Sequence, residues 1–138
     1  HEYKLFDDDF VLAVPRGHEL ARSKTITEGD IINAPLLLLD EGHCLRDQAL
    51  SFCKAPRLTG GTSFKAASLR TLTELVSHGM GVTLLPRMAV KQEVQTKNAI
   101  KLRELPTRGA KRTIGLAWRK NHPGMAEFTE LARLWTKL

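Results

Sequence analysis

Cysteine is scarce in this chain: Cys44 and Cys53 are the only two in 138 residues. Their spacing is too wide for a metal knuckle or a thioredoxin-type pair. Long apolar runs are missing too. The longest, Ala34-Pro35-Leu36-Leu37-Leu38-Leu39, suits a buried strand and falls far short of the roughly 18 residues of a membrane span. The first residues, His1-Glu2-Tyr3-Lys4, are polar, so no signal peptide is expected, and with no initial Met the chain reads as a fragment or a processed product. Two cysteines without an export signal point to a reducing, cytoplasmic compartment, where such a pair is more often catalytic or regulatory than structural. There is no repeat, no low-complexity segment, no RNA-binding aromatic signature and no zinc-finger spacing.

What is present suits one soluble globular domain: 42% hydrophobic and 26% charged residues. The net charge is +6, and the excess is uneven. Between Lys91 and Lys120 stand nine basic residues (91, 97, 101, 103, 108, 111, 112, 119 and 120) against Glu93 and Glu104. Such a stretch can contact nucleic acid or another anion, and its plainer reading is a solvated face with one or two anchoring arginines.

Local patterns give an α/β order. Phe10 to Val14 reads as a buried strand ended by the Pro15-Arg16-Gly17 turn, and a loop follows from His18. Thr27 can cap a short helix over Glu28 to Ile32. Leu36 to Leu39 is a second buried strand, with Asp40-Glu41-Gly42 leaving its C-terminal end. Ser68 and Gly79 bound the clearest helix, whose stripe is Leu69, Leu72, Leu75 and Val76. Strands are expected over Val82 to Pro86, Ile100 to Leu105 and Thr113 to Trp118. An amphipathic helix closes the chain from about Gly124 to Lys137, with Phe128, Leu131, Leu134, Trp135 and Leu138 near one face. Sites in this order fall at the C-terminal ends of strands.

The cysteine segment carries the chemistry. If Cys44 to Cys53 is mostly helical, nine rises of ~1.5 Å separate the Cα atoms by about 13.5 Å, and nine turns of ~100° set the side chains on opposite faces. A disulfide needs Cα atoms roughly 4.4–6.8 Å apart. Helix and disulfide therefore exclude each other, which makes the segment a two-state element under covalent control. Cys44 is the expected first sulfur to react. It follows Gly42 at the helix start, where free N–H groups favour an anion, and His43 and Arg46 add positive charge. Cys53, beside Phe52, has no such support and reads as the resolving sulfur. Asp47 would orient Arg46 or cap the helix. Two other readings stay open: ordinary buried cysteines in a core, and a zinc site of His43, Cys44, Cys53 and His78, although adjacent residues seldom reach one metal.

The run Gly42-His43-Cys44-Leu45-Arg46-Asp47-Gln48-Ala49, with Phe52-Cys53 after it, resembles the redox segment of peroxide-sensing LysR-type transcriptional regulators. Three more stretches are similar to the same family: Phe10 to His18, Ala67 to Pro86 and Arg112 to Leu116. The Gly79-Met80-Gly81-Val82-Thr83-Leu84-Leu85-Pro86 stretch is general to the family and speaks for fold. The linker Lys54 to Gly61 departs from it, being basic where the family is acidic.

The resemblance implies a periplasmic-binding-protein-like (type 2) α/β effector domain of two lobes. Residues 1–111 would form the second lobe, with the redox segment 42–53. Residues 112–138 would be the returning strand and C-terminal helix of the first lobe, and the DNA-binding winged helix-turn-helix would be absent from this chain. The apolar face of Phe128, Leu131 and Trp135 would then meet another chain or dock elsewhere. By match, Cys44 is peroxidatic and Cys53 resolving. Gly42, His43, Leu45, Arg46 and Asp47 form the surrounding pocket, and Arg112 matches an arginine facing the peroxide. The implied function is a hydrogen-peroxide sensor switching by a Cys44–Cys53 disulfide. It would be a homo-oligomer (dimer or tetramer), an activator acting on DNA and RNA polymerase through the full-length protein, and reset by a glutaredoxin- or thioredoxin-type reductant. No enzyme activity, cofactor, metal or membrane partner is implied. The alternatives are a small-molecule effector domain without thiol chemistry and a thiol peroxidase.

Overall fold

A computed structural model describes residues 1–53, 65–95, 98–106 and 110–137. The linker after Cys53, Lys97, Arg108 and Leu138 lie outside the described residues. The elements run β1 (Glu2–Pro15), α1 (Glu19–Arg22), α2 (Glu28–Asn33), β2 (Leu38–Leu39), α3 (Cys44–Cys53), β3 (Lys65–Ala66) and α4 (Leu69–Ser77). After them come β4 (Thr83–Pro86), α5 (Arg87–Glu93), β5 (Ile100–Glu104), β6 (Lys111–Ala117) and α6 (Met125–Trp135). The chain forms two compact units, one of Asp9–Ala110 and one of His1–Asp8 with Lys111–Leu138.

In the larger unit β1 is the central strand. It pairs antiparallel with β4, Phe10 opposite Pro86 and Ala13 opposite Thr83. On its other edge it pairs antiparallel with β5, Val11 opposite Glu104 and Pro15 opposite Ile100. Alternate side chains of a strand face opposite ways, and here both faces are covered. Phe10, Leu12 and Val14 join a core with Leu20, Ile31 and Cys53. Val11 and Ala13 join a second core with Leu37, Leu72 and Val76. Burial on both faces is why the run Phe10 to Val14 is continuously apolar.

β2 and β3 are parallel, Leu38 opposite Lys65 and Leu39 opposite Ala66. A parallel bridge ties Leu36 to Val82, and the buried Thr83 hydroxyl donates to the Leu37 carbonyl at 2.8 Å. Gly81 is required where the chain returns, because a Cβ there would collide with the Pro35 carbonyl oxygen.

The helix ends follow from side chains. Thr27 Oγ1 accepts from Asp30 N, and the Asp30 carboxylate accepts from Thr27 N at 2.7 Å, a complete capping box for α2. Ser68 accepts from Thr71 N to cap α4, and Gly79 leaves it at φ +77. The loop expected from His18 is instead the start of α1. His18 Nδ1 accepts from Leu20 N at 3.2 Å and closes the cap. Arg103 then donates to the carbonyls of Leu20, Ala21 and Ser23 past that helix.

In the smaller unit β6 pairs with β1, and the His1 and Trp118 backbones exchange hydrogen bonds at 2.9 and 3.0 Å. Phe128 of α6 stacks obliquely on Trp118 and His122, and Ala132 is fully buried. Leu131, Leu134 and Trp135 are exposed, so the apolar face expected of this helix is largely uncovered.

A candidate redox site on the third helix

β2 ends at Leu39, and the chain turns through Asp40 to Gly42 before α3 begins. Gly42 takes φ +92, a conformation that strains any residue with a Cβ. His43 N donates to the Asp40 carbonyl at 3.3 Å and Arg46 N to the His43 carbonyl at 3.0 Å. The Arg46 guanidinium reaches back and donates from Nη1 to the Leu39 carbonyl at 3.0 Å. That bond fixes the first turn of α3 to the end of β2. Asp47 stands in the same first turn, where a carboxylate suits the helix N-terminus.

The two cysteines occupy the two ends of α3 and both are free thiols. Cys44 is exposed, while Cys53 is 1% exposed and sits in the core with Ile31 and Ala49. The helix therefore presents one sulfur to solvent and hides the other, as nine steps of ~100° require. Burial, and then the Glu28 carboxylate, push the Cys53 thiol up from its ordinary value. A neutral, buried Cys53 is a poor nucleophile while α3 is intact.

α3 is only partly committed to the core. Ala49 and Cys53 are its buried residues, and Leu45, Leu50 and Phe52 pack against the core from partly buried positions. Gln48 Oε1 is buried without a hydrogen-bond partner among the described residues.

Gly42, His43, Cys44, Leu45, Arg46 and Asp47 are thus contiguous around the β2–α3 junction, and Cys53 is at the far end of the helix. Arg112 belongs to the smaller unit. Its Nε and Nη2 both donate to Asp8 Oδ2 at 3.0 Å, and the Asp8 side chain is only 3% exposed. Nearby, the Asp7 carboxylate accepts from Lys111 at 2.6 Å and from Lys4 and Thr113. The Lys111 hydrogen bond, then those of Lys4 and Thr113, hold its carboxyl well below the usual range. Sequence patterns single out neither aspartate, since Lys111, Arg112 and Thr113 lie about a hundred positions away. Among the described residues no group of His, Cys, Asp and Glu side chains could hold a metal ion, so His43, Cys44, Cys53 and His78 do not form the zinc site considered above.

Comparison with known proteins extends the picture. Residues 1–136 match the family described as the LysR substrate binding domain. The "Probable hydrogen peroxide-inducible genes activator" of Mycobacterium avium is 42% identical over 131 residues, which cover 94% of this chain and 42% of the relative. The "DNA-binding transcriptional dual regulator OxyR" of Escherichia coli is 37% identical over 131 residues, covering 95% and 43%. Among solved structures, a cysteine-to-serine mutant of Corynebacterium glutamicum OxyR with hydrogen peroxide bound superposes with TM-score 0.85 at 29% identity. That match covers 99% of this chain and 44% of the other. The chain thus spans about two fifths of the length of these relatives.

Proposed function

The chain belongs to the LysR substrate-binding domain family, and on that premise we propose that it is the peroxide-sensing regulatory domain of a LysR-type transcription regulator. The observation that carries this reading is one helix with an exposed free thiol at its start and a buried free thiol at its end. Its relatives include proteins named as hydrogen peroxide-inducible genes activators and as OxyR, which supports peroxide as the signal.

The Cys44 thiolate attacks one oxygen of hydrogen peroxide. The O–O bond breaks, hydroxide leaves, and Cys44 becomes a sulfenic acid. We assign to His43, next to it in sequence, donation to the leaving oxygen; the role expected of Arg112, which pairs with Asp8 in the smaller unit, rests on its match alone. Cys53, deprotonated once α3 unwinds, attacks the Cys44 sulfur. A disulfide forms and the oxygen leaves as water. Peroxide is reduced by two electrons and the two thiols are oxidised by two. The event is stoichiometric, and a dithiol reductant of the glutaredoxin or thioredoxin type restores both thiols.

In this reading residues 1–111 carry the second lobe with segment 42–53, and residues 112–138 carry the returning strand and last helix of the first, although His1–Asp8 and Lys111 group with the latter in the structure. The exposed Leu131, Leu134 and Trp135 supply apolar surface for the remaining lobe or a second copy in the oligomer. No helix among the described residues is long and apolar enough to cross a membrane. The proposed regulator is cytoplasmic and acts on DNA and RNA polymerase through the complete protein.

The test is a peroxide titration read by free-thiol count and intact mass. The parent should lose two hydrogens at about one equivalent. Cys53→Ser should form a sulfenic acid that traps with dimedone and no internal disulfide. If Cys44→Ser consumes peroxide as fast as the parent, the assignment fails.

A further inference from the structure

The basic stretch from Lys91 to Lys120 is not used by the thiol chemistry, and the structure disperses it. Arg103 is occupied with three carbonyls, Lys111 and Arg112 with Asp7 and Asp8. Arg119 and Lys120 belong to the smaller unit. Of the described residues of the stretch, Lys91 and Lys101 remain, and both line one groove of the larger unit.

That groove lies between α5 and β5 and has a volume of about 580 Å³, within the ~300–1,000 Å³ usual for small-molecule sites. Its floor is aliphatic: Val11, Val90, Val94, Ile100 and Leu102. Val11, Val94 and Ile100 are buried, so that floor is fixed by the core, while Leu102 stays exposed at the mouth. The charge among its described lining residues is mostly positive: Arg16, Arg87, Lys91 and Lys101 stand against one carboxylate, Glu104. Glu104 is joined to Arg87 at 2.5 Å, and that hydrogen bond holds its carboxyl below the usual range, so it stays an anion already matched by Arg87. Lys91 and Lys101 add further positive charge. The described lining residues include no aromatic side chain on which a base could stack, so nucleic acid is a poor occupant.

We propose that this groove binds a small amphipathic carboxylate, its apolar body on the Val94–Ile100 floor and its carboxylate between Lys91 and Lys101. An aliphatic and an aromatic acid share this chemistry, and the test separates them. None of the described lining residues lies in segment 42–53.

The experiment titrates the full-length protein with naphthoate, decanoate and naphthyl methanol by calorimetry. Saturable binding of one of the acids, about tenfold or more tighter than that of the neutral alcohol, supports the site. Lys91→Glu with Lys101→Glu should weaken that acid about tenfold or more, and Leu102→Asp should weaken it comparably through the floor. Cys44→Ser should leave it unchanged. These lysines and Leu102 are exposed, and a melting curve matching the parent's confirms that each variant folds. If the double variant melts early, Lys101→Gln alone serves the same comparison. No saturable binding below the millimolar range, equal affinity for acid and alcohol, or indifference to the lysine changes would overturn the proposal. Displacement of naphthoate by a short oligonucleotide would overturn it in favour of a polyanion face.

Discussion

Adding one equivalent of hydrogen peroxide to the reduced chain should open α3 and leave β1 closed. The helix sets the two Cα atoms about 13.5 Å apart, and the bridge allows at most ~6.8 Å. At least about 7 Å of approach must come from the backbone, because turning a side chain moves no Cα. A ten-residue helix holds about six internal hydrogen bonds. Losing three of them, at about 1 kcal/mol net each, lowers the local opening free energy by about 3 kcal/mol. Amide exchange there should quicken on the order of 100-fold. Hydrogen exchange read by mass spectrometry on reduced and oxidised samples measures this directly. Peptides covering 47–53 should lose protection while Val11 to Val14, buried and paired on both sides, should keep it. An oxidised chain, two hydrogens lighter, whose α3 amides exchange as slowly as before would refute the reasoning.

Other outcomes are read by urea unfolding. Thr27→Ala removes the α2 capping box and should cost about 1–2 kcal/mol without altering the rate of Cys44 oxidation. Gly81→Ala drives a Cβ into the Pro35 carbonyl and should cost about 2 kcal/mol or more through backbone displacement; a neutral effect would mean that this turn is not as tight as described. Asp8→Ala strands Arg112, whose side chain is 20% exposed, and should cost about 2 kcal/mol, somewhat less than a fully buried pair. The raised Cys53 thiol gives a pH signature. The unfolded chain loses that proton first, so the contribution is complete below the unfolded thiol value of ~8.5 and disappears as pH rises through the higher folded value. Stability of the reduced chain should fall more steeply on the alkaline side than that of Cys53→Ala, and parallel curves would contradict the burial.

Much of the site is legible in the sequence because its signals are local. The Gly42 turn, the span of α3 and the Thr27 and Ser68 caps each rest on a few neighbouring residues, and the structure has them. What escapes is set by distant partners or by weak local preference. α5 follows Pro86 with no side-chain cap and no buried residue, so neither a start signal nor an apolar stripe marks it. The first half of β1 alternates in burial, but three successive aspartates, poor strand formers, hide the period. Their role appears only when Lys111 and Arg112 arrive from far along the chain. α1 is missed because histidine is an unusual cap. β3 is two residues long and takes its identity from β2 alone.

The bond from Arg46 to the Leu39 carbonyl bears on which end of the proposed switch would travel. It rivets the leading turn of α3 to the sheet, whereas Cys53 at the trailing end packs beside Ile31 and Ala49. On the proposed mechanism the coil should come apart from its tail, with Cys44 as a fixed post and Cys53 reeled toward it. The hollow that Cys53 would vacate lies beside Ile31 of α2, so the neighbouring helix, several residues removed from any oxidised atom, should feel the change.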